Sequence, residues 1–227
     1  KKYVYQIKSI RNIEIKKKKK GFLQNIYVDE GQYVNAGQIL FRIMPKIYEA
    51  ELLKAQAEAK AAEIELLKAK TLAEKNIISK NEQAMAQAKL EQAKAEVALA
   101  KIHLSFTEIR APFAGTIDRI PLKLGSLVDE GALLTSLSDN SKILAYFNVS
   151  EPEYLDYQTN SKNRGDSNVN LLLANGKNLK QKGKVEVIES EFDSETGNIA
   201  FRASFPNPER ILKNGETAKV LMSVPIK

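Results

Sequence analysis

Hydrophobic and polar positions follow three successive patterns along the chain. Residues 3–7 alternate and predict a strand, and a second short strand is predicted at residues 13–17. From Lys46 the chain becomes rich in alanine, leucine, glutamate and lysine with a helical period. From Lys142 the alternation that is typical of strands returns. These changes of period predict a mixed α and β protein built from several modules.

The helical segment predicts a coiled-coil hairpin. Small and apolar residues recur at alternating spacings of three and four, which is the seam of a coiled coil. The seam positions are Leu52, Ala55, Ala59, Ala62, Leu66, Ala69 and Ala73 on the first helix, and Ala86, Leu90, Ala93, Val97, Ala100 and Leu104 on the second. A break near Asn76 and Ser79 separates two helices that must run antiparallel. With about 28 residues in each, the hairpin is expected to be about 40 Å long.

A glycine motif occurs twice, once on each side of this hairpin. The six glycines are Gly21, Gly31 and Gly37 in the first copy and Gly115, Gly125 and Gly131 in the second. Hydrophobic positions repeat as well, since Ile26 matches Ile120 and Leu40 matches Leu134. Such glycines mark turns that need a positive φ or a close backbone approach. The repeat predicts two copies of a short β-meander packed face to face, because neither could bury its apolar face alone.

The C-terminal part predicts a small closed β-barrel. Strands are expected at residues 143–149, 169–173 and 185–188, and turns at Asn175-Gly176, Thr196-Gly197 and Asn214-Gly215. Ser150 and Glu153 have the spacing of a capping box and predict a short helix between the first two strands. Two further strands place alternate residues on one face: Ile199, Phe201, Ala203 and Phe205, then Ala218, Val220, Met222 and Val224. A strand from residues 1–15 is expected to complete the barrel.

Composition narrows the possible functions. The chain has 227 residues, no cysteine, one histidine and a net charge of +7. The lysines of the helical segment are interspersed with glutamates, and the dense run at residues 16–20 contains no aromatic residue, so nucleic-acid binding is disfavoured. No phosphate loop, nucleophile elbow or histidine pair occurs. We therefore expect no enzymatic activity, no cofactor and no metal site.

The repeated glycine motif resembles the two halves of a lipoyl- or biotinyl-type β-sandwich. In carrier domains of that type a tight hairpin between the halves displays a modified lysine, whereas here residues 45–106 intervene. The arrangement of half-motif, helical hairpin, half-motif and barrel resembles the periplasmic adaptor (membrane fusion protein) family of tripartite efflux pumps. The segment IRAPFAG at residues 109–115 looks like that family's return into the second half-motif. The branch associated with transporters of the resistance-nodulation-division (RND) type is the most similar.

The resemblance implies an elongated molecule of several modules. A coiled-coil α-hairpin would be inserted between two halves of a lipoyl-like β-sandwich and followed by a small β-barrel. The expected boundaries are 1–17 for strands of the barrel, 18–45 and 106–140 for the two sandwich halves, 46–105 for the hairpin, and 141–227 for the barrel with one short helix. Because the chain stops just after the barrel, a membrane-proximal domain is expected to be missing or minimal.

The resemblance also implies a function and a site. Adaptors of this family link an inner-membrane transporter to an outer-membrane channel through the hairpin tip, and they assemble side by side into a funnel. The family's tip motif matches Leu72 and Ser79, while Lys68 and Ala69 stand where Arg and Leu are usual. The implied docking residues are Lys68, Leu72, Lys75, Asn76 and Ser79. The same apolar residues could instead simply close the end of the coiled coil.

Location and alternatives follow from the same resemblance. The chain has no stretch of roughly 18 apolar residues and no signal peptide. Either it is soluble by itself, or it lies in the periplasm of a Gram-negative cell with its export signal and inner-membrane anchor outside the chain. An adaptor for an ABC-type exporter, a lipoyl or biotinyl carrier domain, and a plain coiled-coil scaffold are the competing hypotheses.

Overall fold

The computed structural model describes residues 2–159 and 168–222, which form two compact units. One unit takes in the chain up to Glu14, Phe113–Asp118 and the part from Ser136 onward, and the other takes in Ile15–Pro112 and Arg119–Thr135. The strands are β1 (Lys2–Lys16), β2 (Gly21–Ile26), β3 (Tyr33–Val34), β4 (Ile39–Ile43), β5 (Glu108–Arg110), β6 (Gly115–Ile117), β7 (Leu127–Val128), β8 (Leu133–Ser150), β9 (Asn168–Leu173), β10 (Gly183–Ile188), β11 (Asn198–Pro206) and β12 (Thr217–Met222). The helices are α1 (Lys46–Glu74), α2 (Lys80–Ser105) and α3 (Glu151–Thr159).

The first unit is a closed antiparallel β-barrel. Its strands follow the order β1-β12-β9-β10-β11-β8, and β1 also pairs with β8, which closes the sheet. On β11 the alternate residues Ile199, Phe201, Ala203 and Phe205 are buried, as their spacing predicts. Phe201 lies opposite Phe147 of β8, with the two ring centroids 5.7 Å apart. The predicted inward position Val224 lies outside the described residues.

The N-terminal segment forms one long strand, so the prediction of two short strands within residues 3–17 is wrong. The polar residues between the two predicted strands have hydrogen-bond partners that are distant in sequence. Ser9 is buried, its backbone N donates to Asn214 Oδ1 at 3.1 Å, and its hydroxyl donates to Asn140 Oδ1 at 2.5 Å. Hydrogen bonds to side chains of the same unit therefore keep this polar stretch extended.

Helix α3 begins at the predicted position, and its tyrosines contribute to the barrel core. Glu153 Oε2 accepts a hydrogen bond from the backbone N of Ser150 at 3.4 Å, which is half of the predicted capping box. Tyr154 and Tyr157 pack against the barrel core, and both rings contact Phe201 edge-on.

In the second unit the two glycine-motif halves interlock. A four-stranded sheet has the order β5-β4-β2-β7, so β2 and β4 of the first half pair with β7 and β5 of the second. Gly21 lies opposite Val128 and Ile39 opposite Arg110. The halves therefore do more than pack face to face, because each supplies strands that satisfy the backbone groups of the other.

The six predicted glycines fall into two structural classes, and equivalent glycines of the two halves behave alike. Gly31 and Gly37 have φ of 78° and 79°, and their counterparts in the second half have 80° and 81°. Gly21 and Gly115 instead lie in crowded places, where a Cβ would come within 2.8 Å of Ile43 Cγ2 and 2.7 Å of Ser138 O. The first class needs a left-handed backbone and the second needs a missing side chain.

Helices α1 and α2 of the second unit form an antiparallel hairpin along the predicted seam. Each of the 13 predicted seam residues is buried or half-buried. Ala62, Leu66 and Leu90 form the centre of its core, and Lys89 Nζ is 2.7 Å from Glu65 Oε2 across the two helices. Among the described residues, no helix has the length and hydrophobicity to cross a membrane.

Candidate functional site at the tip of the helical hairpin

The first half of the hairpin tip is a helix C-terminus with a left-handed residue. Asn76 has a φ of 57°, and its backbone N donates to Ala73 O at 2.9 Å. The backbone N of Ile77 donates to Leu72 O at 2.9 Å. This pair of hydrogen bonds is a Schellman motif with Asn in place of the usual Gly. Asparagine tolerates this conformation better than most residues, so the local role of Asn76 is to end α1.

The second half of the tip is a complete N-cap. Ser79 Oγ accepts from the backbone N of Glu82 at 3.2 Å, and Glu82 Oε2 accepts from the backbone N of Ser79 at 3.0 Å. This reciprocal pair is a capping box. Five residues, 75–79, therefore connect two helices whose ends are both satisfied by local hydrogen bonds, which makes the tip a defined surface.

The tip presents basic and apolar groups to solvent. Ile77 is 64% exposed, whereas Leu72 and Ile78 are half-buried. Residues 68–82 contain four lysines and two glutamates, a formal charge of +2. An exposed isoleucine beside several lysines can contact a partner that offers an apolar pocket and acidic groups.

The predicted docking residues occupy two different positions on this surface. Lys75, Asn76 and Ser79 lie in the connection itself and are exposed. Leu72 lies in the last turn of α1, and the exposed Lys68 lies one turn further from the tip. Asn76 and Ser79 have local structural roles, and the docking role of all five residues stays a prediction. Ile77 was not among the predicted docking residues, although it is the most exposed apolar residue of the tip.

Lys17 is a further residue that composition alone did not single out. It is 2% exposed, and its Nζ donates to Gly21 O at 2.5 Å and to Val128 O at 2.6 Å. It therefore links the first half-motif to the second. Burial lowers the pKa of Lys17 from 10.5 to about 8, against the opposing effect of the nearby Asp129 carboxylate. Residues 16–20 are all lysine, so nothing in the sequence distinguishes Lys17 from its neighbours.

Two family models match the chain almost from end to end. The model described as the barrel-sandwich hybrid domain of RND MFPs (membrane fusion proteins) matches residues 11–138, and the model described as their beta-barrel domain matches residues 142–225. The chain belongs to the RND membrane fusion protein family. The first match encloses both α1 and α2, so in this family member the hairpin is an insertion within the barrel-sandwich hybrid domain.

The curated relatives of this family member carry names that describe them as components of efflux systems. The chain is 31% identical to the multidrug resistance protein MexA of Pseudomonas aeruginosa, over 91% of this chain and 56% of MexA. It is 32% identical to the multidrug export protein AcrE of Escherichia coli, over 90% of this chain and 59% of AcrE. The efflux pump periplasmic linker BepD of Brucella suis is 27% identical, over 99% of this chain and 63% of BepD. The chain thus spans about three-fifths of the length of these relatives.

Solved structures share the fold. A MacA-MexA chimeric protein that contains the Pseudomonas aeruginosa MexA α-hairpin domain superposes with a TM-score of 0.79 at 24% identity, over 99% of this chain and 82% of the chimera. A putative efflux transporter from Bacteroides eggerthii superposes with a TM-score of 0.76 at 20% identity, over 100% of this chain and 73% of that chain. At these identities the likeness concerns the fold alone.

Proposed function

We propose that the chain is the periplasmic adaptor of an RND-type multidrug efflux pump, linking an inner-membrane transporter to an outer-membrane channel. The observation that carries this proposal is the combination of the two RND family domains with a helical hairpin inserted in the first. The relatives named as periplasmic linkers and export proteins support the same function. The chain has the parts of a connector: a long projecting element, a base and a separate barrel.

In this proposal the hairpin spans the distance to the outer-membrane channel. Helix α1 has 29 residues, which at a rise of 1.5 Å per residue correspond to about 43 Å. At its end Lys75, Ile77 and their neighbours would contact the outer-membrane channel. The sandwich halves at 18–45 and 106–140 would carry the hairpin at 46–105. The N-terminal strand up to Glu14 and residues 141–227 would form the barrel that faces the inner-membrane transporter.

Location and partner type follow from the same proposal. The protein would act in the periplasm and be attached to the inner membrane by a segment outside this chain. The RND description of both family models favours an RND transporter over the ABC-type alternative. The carrier-domain alternative is disfavoured because α1 and α2 occupy the place where a carrier would display its modified lysine. The role would be mechanical, so no catalytic residue is proposed.

Site-specific crosslinking in intact cells tests the docking role. The chain contains no cysteine, so Lys75→Cys would introduce a single thiol at the tip. Lys75 is a better site than Ser79, because replacing Ser79 would remove the capping box. The expected result is a covalent adduct between the protein and an outer-membrane channel, identified by mass spectrometry.

The control places the thiol on the exposed side of α2, away from the tip, as Glu96→Cys. This variant should give no adduct with the channel. A channel adduct at both positions would mean that contact is not specific to the tip. An adduct of Lys75→Cys with a soluble enzyme, or with no other protein, would contradict the proposed function.

A further inference from the structure

One flank of the helical hairpin contains an open groove between α1 and α2, with a volume of about 430 Å³. This volume lies within the range of small-molecule sites, about 300–1,000 Å³. Its α1 wall has residues spaced four and three apart, which share one helix face: Gln56, Lys60 and Glu63. Its α2 wall follows the same kind of spacing: Leu90, Lys94, Val97 and Lys101. We call this feature the flank groove.

The floor of the flank groove is apolar because the hairpin core is built largely from small residues. Leu90 is buried, and Ala59 and Val97 are half-buried. Ala59 on α1 and Ala98 on α2 leave the space that larger side chains would fill. The groove is about 16 Å long, since Leu90 and Lys101 are eleven residues apart on α2. Its floor can therefore remove an extended hydrocarbon chain from water.

The flank groove also carries an excess of positive charge. Three lysines and one glutamate line it, which gives a formal charge of +2. Glu63 Oε2 accepts a hydrogen bond from Lys60 Nζ at 2.7 Å, which lowers the pKa of the Glu63 carboxyl, and the charge of Lys94 lowers it less strongly. Within the described residues, Lys94 and Lys101 form no ion pair. Lys101 is therefore available to pair with an anion.

The end of the groove nearer the base of the hairpin holds two hydrogen-bond donors. Lys89 Nζ is 2.7 Å from Glu65 Oε2 across the antiparallel helices, which shows which residues lie at equal height. Nine residues further along each helix, Gln56 is level with Ala98, and Lys101 lies about 4.5 Å beyond that level. The Gln56 amide and the Lys101 ammonium can therefore donate to the same anionic group.

We infer that the flank groove binds an amphipathic anion, a small molecule with one carboxylate or sulfate group and an apolar body. The anionic group would pair with Lys101 and Gln56, and the apolar body would lie over Val97 toward Leu90. A neutral amphiphile of the same length would bury the same surface but would lack the charge that the ammonium attracts. This binding site is separate from the tip, so the inference does not depend on the proposed function.

Calorimetric titration of the full chain with sodium decanoate, below the concentration at which decanoate forms micelles, tests the inference. Saturable binding of one decanoate per chain is expected, and decanol should bind at least about fivefold more weakly. Lys101→Gln should weaken decanoate binding by at least about fivefold, because the headgroup loses its ion pair. The control is Lys54→Gln, which removes the same charge from an exposed position outside the groove and should change the affinity less than about twofold.

A second variant tests the groove independently of charge. Ala98→Leu would place a larger side chain over the floor and should also weaken binding by at least about fivefold. Leucine is a good helix former and position 98 is exposed, so the helicity measured by circular dichroism should stay that of the parent chain.

Each outcome decides the matter. Saturable binding that is weakened by Lys101→Gln and Ala98→Leu, and unchanged by Lys54→Gln, supports the inference. Equal affinities for decanoate and decanol, or equal losses in the two lysine variants, would overturn it, because the groove would then recognise no specific charge. Absence of saturable binding would also overturn it, including the case in which another copy or another protein covers the groove. The channel adduct expected from Lys75→Cys is unaffected by these results, so the two proposals can fail separately.

Discussion

Lys17 differs from the other lysines of residues 16–20 because its ammonium is inside the protein. Lys20 pairs with Asp129 at the surface, and Lys18 lies over the Phe106 ring at 4.8 Å. Lys17 instead donates to two backbone carbonyls that belong to different half-motifs. A charged group in that position loses hydration, and its hydrogen bonds offset only part of the cost.

The first prediction concerns the pH dependence of stability. The pKa of Lys17 is about 8 in the folded protein and 10.5 as the unperturbed value. Below pH 8 both states bind the proton, so Lys17 adds no slope. Between pH 8 and 10.5 the unfolded state binds more protons, so the free energy of unfolding should rise with pH. Lys17→Met should remove this rise, and urea titrations at several pH values measure it.

The same variant has a second expected effect at pH 7. Gly21 O and Val128 O lose their donor, which costs about 1–3 kcal/mol of stability. Removal of the poorly hydrated ammonium offsets part of that loss, so the net decrease in the free energy of unfolding should be smaller. If the free energy of unfolding of Lys17→Met and of the parent chain changed with pH in the same way between pH 8 and 10.5, the assignment of a lowered pKa to Lys17 would be contradicted.

Among the described glycines of the barrel unit, Gly183 has the least room for a side chain. A Cβ at this position would lie 2.3–2.6 Å from three atoms of the Phe205 ring, and that ring is completely buried. Gly183→Ala should therefore destabilise the barrel by about 1–3 kcal/mol through overpacking. Thermal unfolding followed by circular dichroism measures the change. Lys182→Ala, at the exposed neighbouring position, should stay within about 0.5 kcal/mol of the parent chain, and equal effects of the two variants would exclude overpacking.

At the scale of single elements, the hairpin combines a thin core with a connection that is capped on both sides. Its inner seam contains many alanines, which bury little area per residue. The connection therefore adds local hydrogen bonds to a small hydrophobic contribution. It does so with the Schellman motif at Asn76 and the capping box at Ser79.

The cap prediction separates local structure from docking. Ser79→Ala should lower the free energy of unfolding by about 1 kcal/mol, because the backbone N of Glu82 loses its acceptor. Ser79→Asp keeps an acceptor and should restore most of that stability. Helicity and thermal unfolding of the full chain measure both. If Ser79→Asp is stable and still fails in the proposed export role, position 79 has a role beyond capping. If the variant supports that role, capping accounts for the residue.

At the scale of the whole molecule, the chain contains two compact units with separate cores. The barrel core is formed by inward residues of β8, β9, β11 and β12 together with Ile7. The hairpin core is a second and smaller cluster around Leu66 and Leu90. The chain passes between the units several times, because segments 113–118 and 136–150 belong to the barrel unit while 119–135 belongs to the other.

This division predicts that the two units respond separately to substitution. Gly183→Ala should reduce the protection of barrel amides against hydrogen exchange and leave the amides of β2 and β4 unchanged. Lys17→Met should have the opposite pattern, because its contacts lie in the second unit. Hydrogen exchange followed by mass spectrometry resolves the two. A uniform loss of protection from either variant would show that the units unfold as one.

Local patterns were sufficient for much of the fold. The inner seam of the hairpin, the left-handed glycines such as Gly31, and the buried face of β11 each depend on neighbours within one element or one turn. Their spacing therefore predicted them correctly. The continuous strand β1 was not predicted, because what keeps Ser9 extended is a pair of side chains more than 130 residues away along the chain. The residues adjacent to Ser9 in the sequence do not reveal such distant partners.

The sequence by itself determined the periods, the caps and the repeated glycine positions, and through them the order of sandwich, hairpin and barrel. These features are local, since a helical period or a left-handed turn is specified by residues close together. Only the tertiary structure decided that the two halves interlock through β2–β7 and β4–β5, and that Lys17 is buried between them. Burial and pairing depend on which distant segments meet, and that is a property of the folded chain.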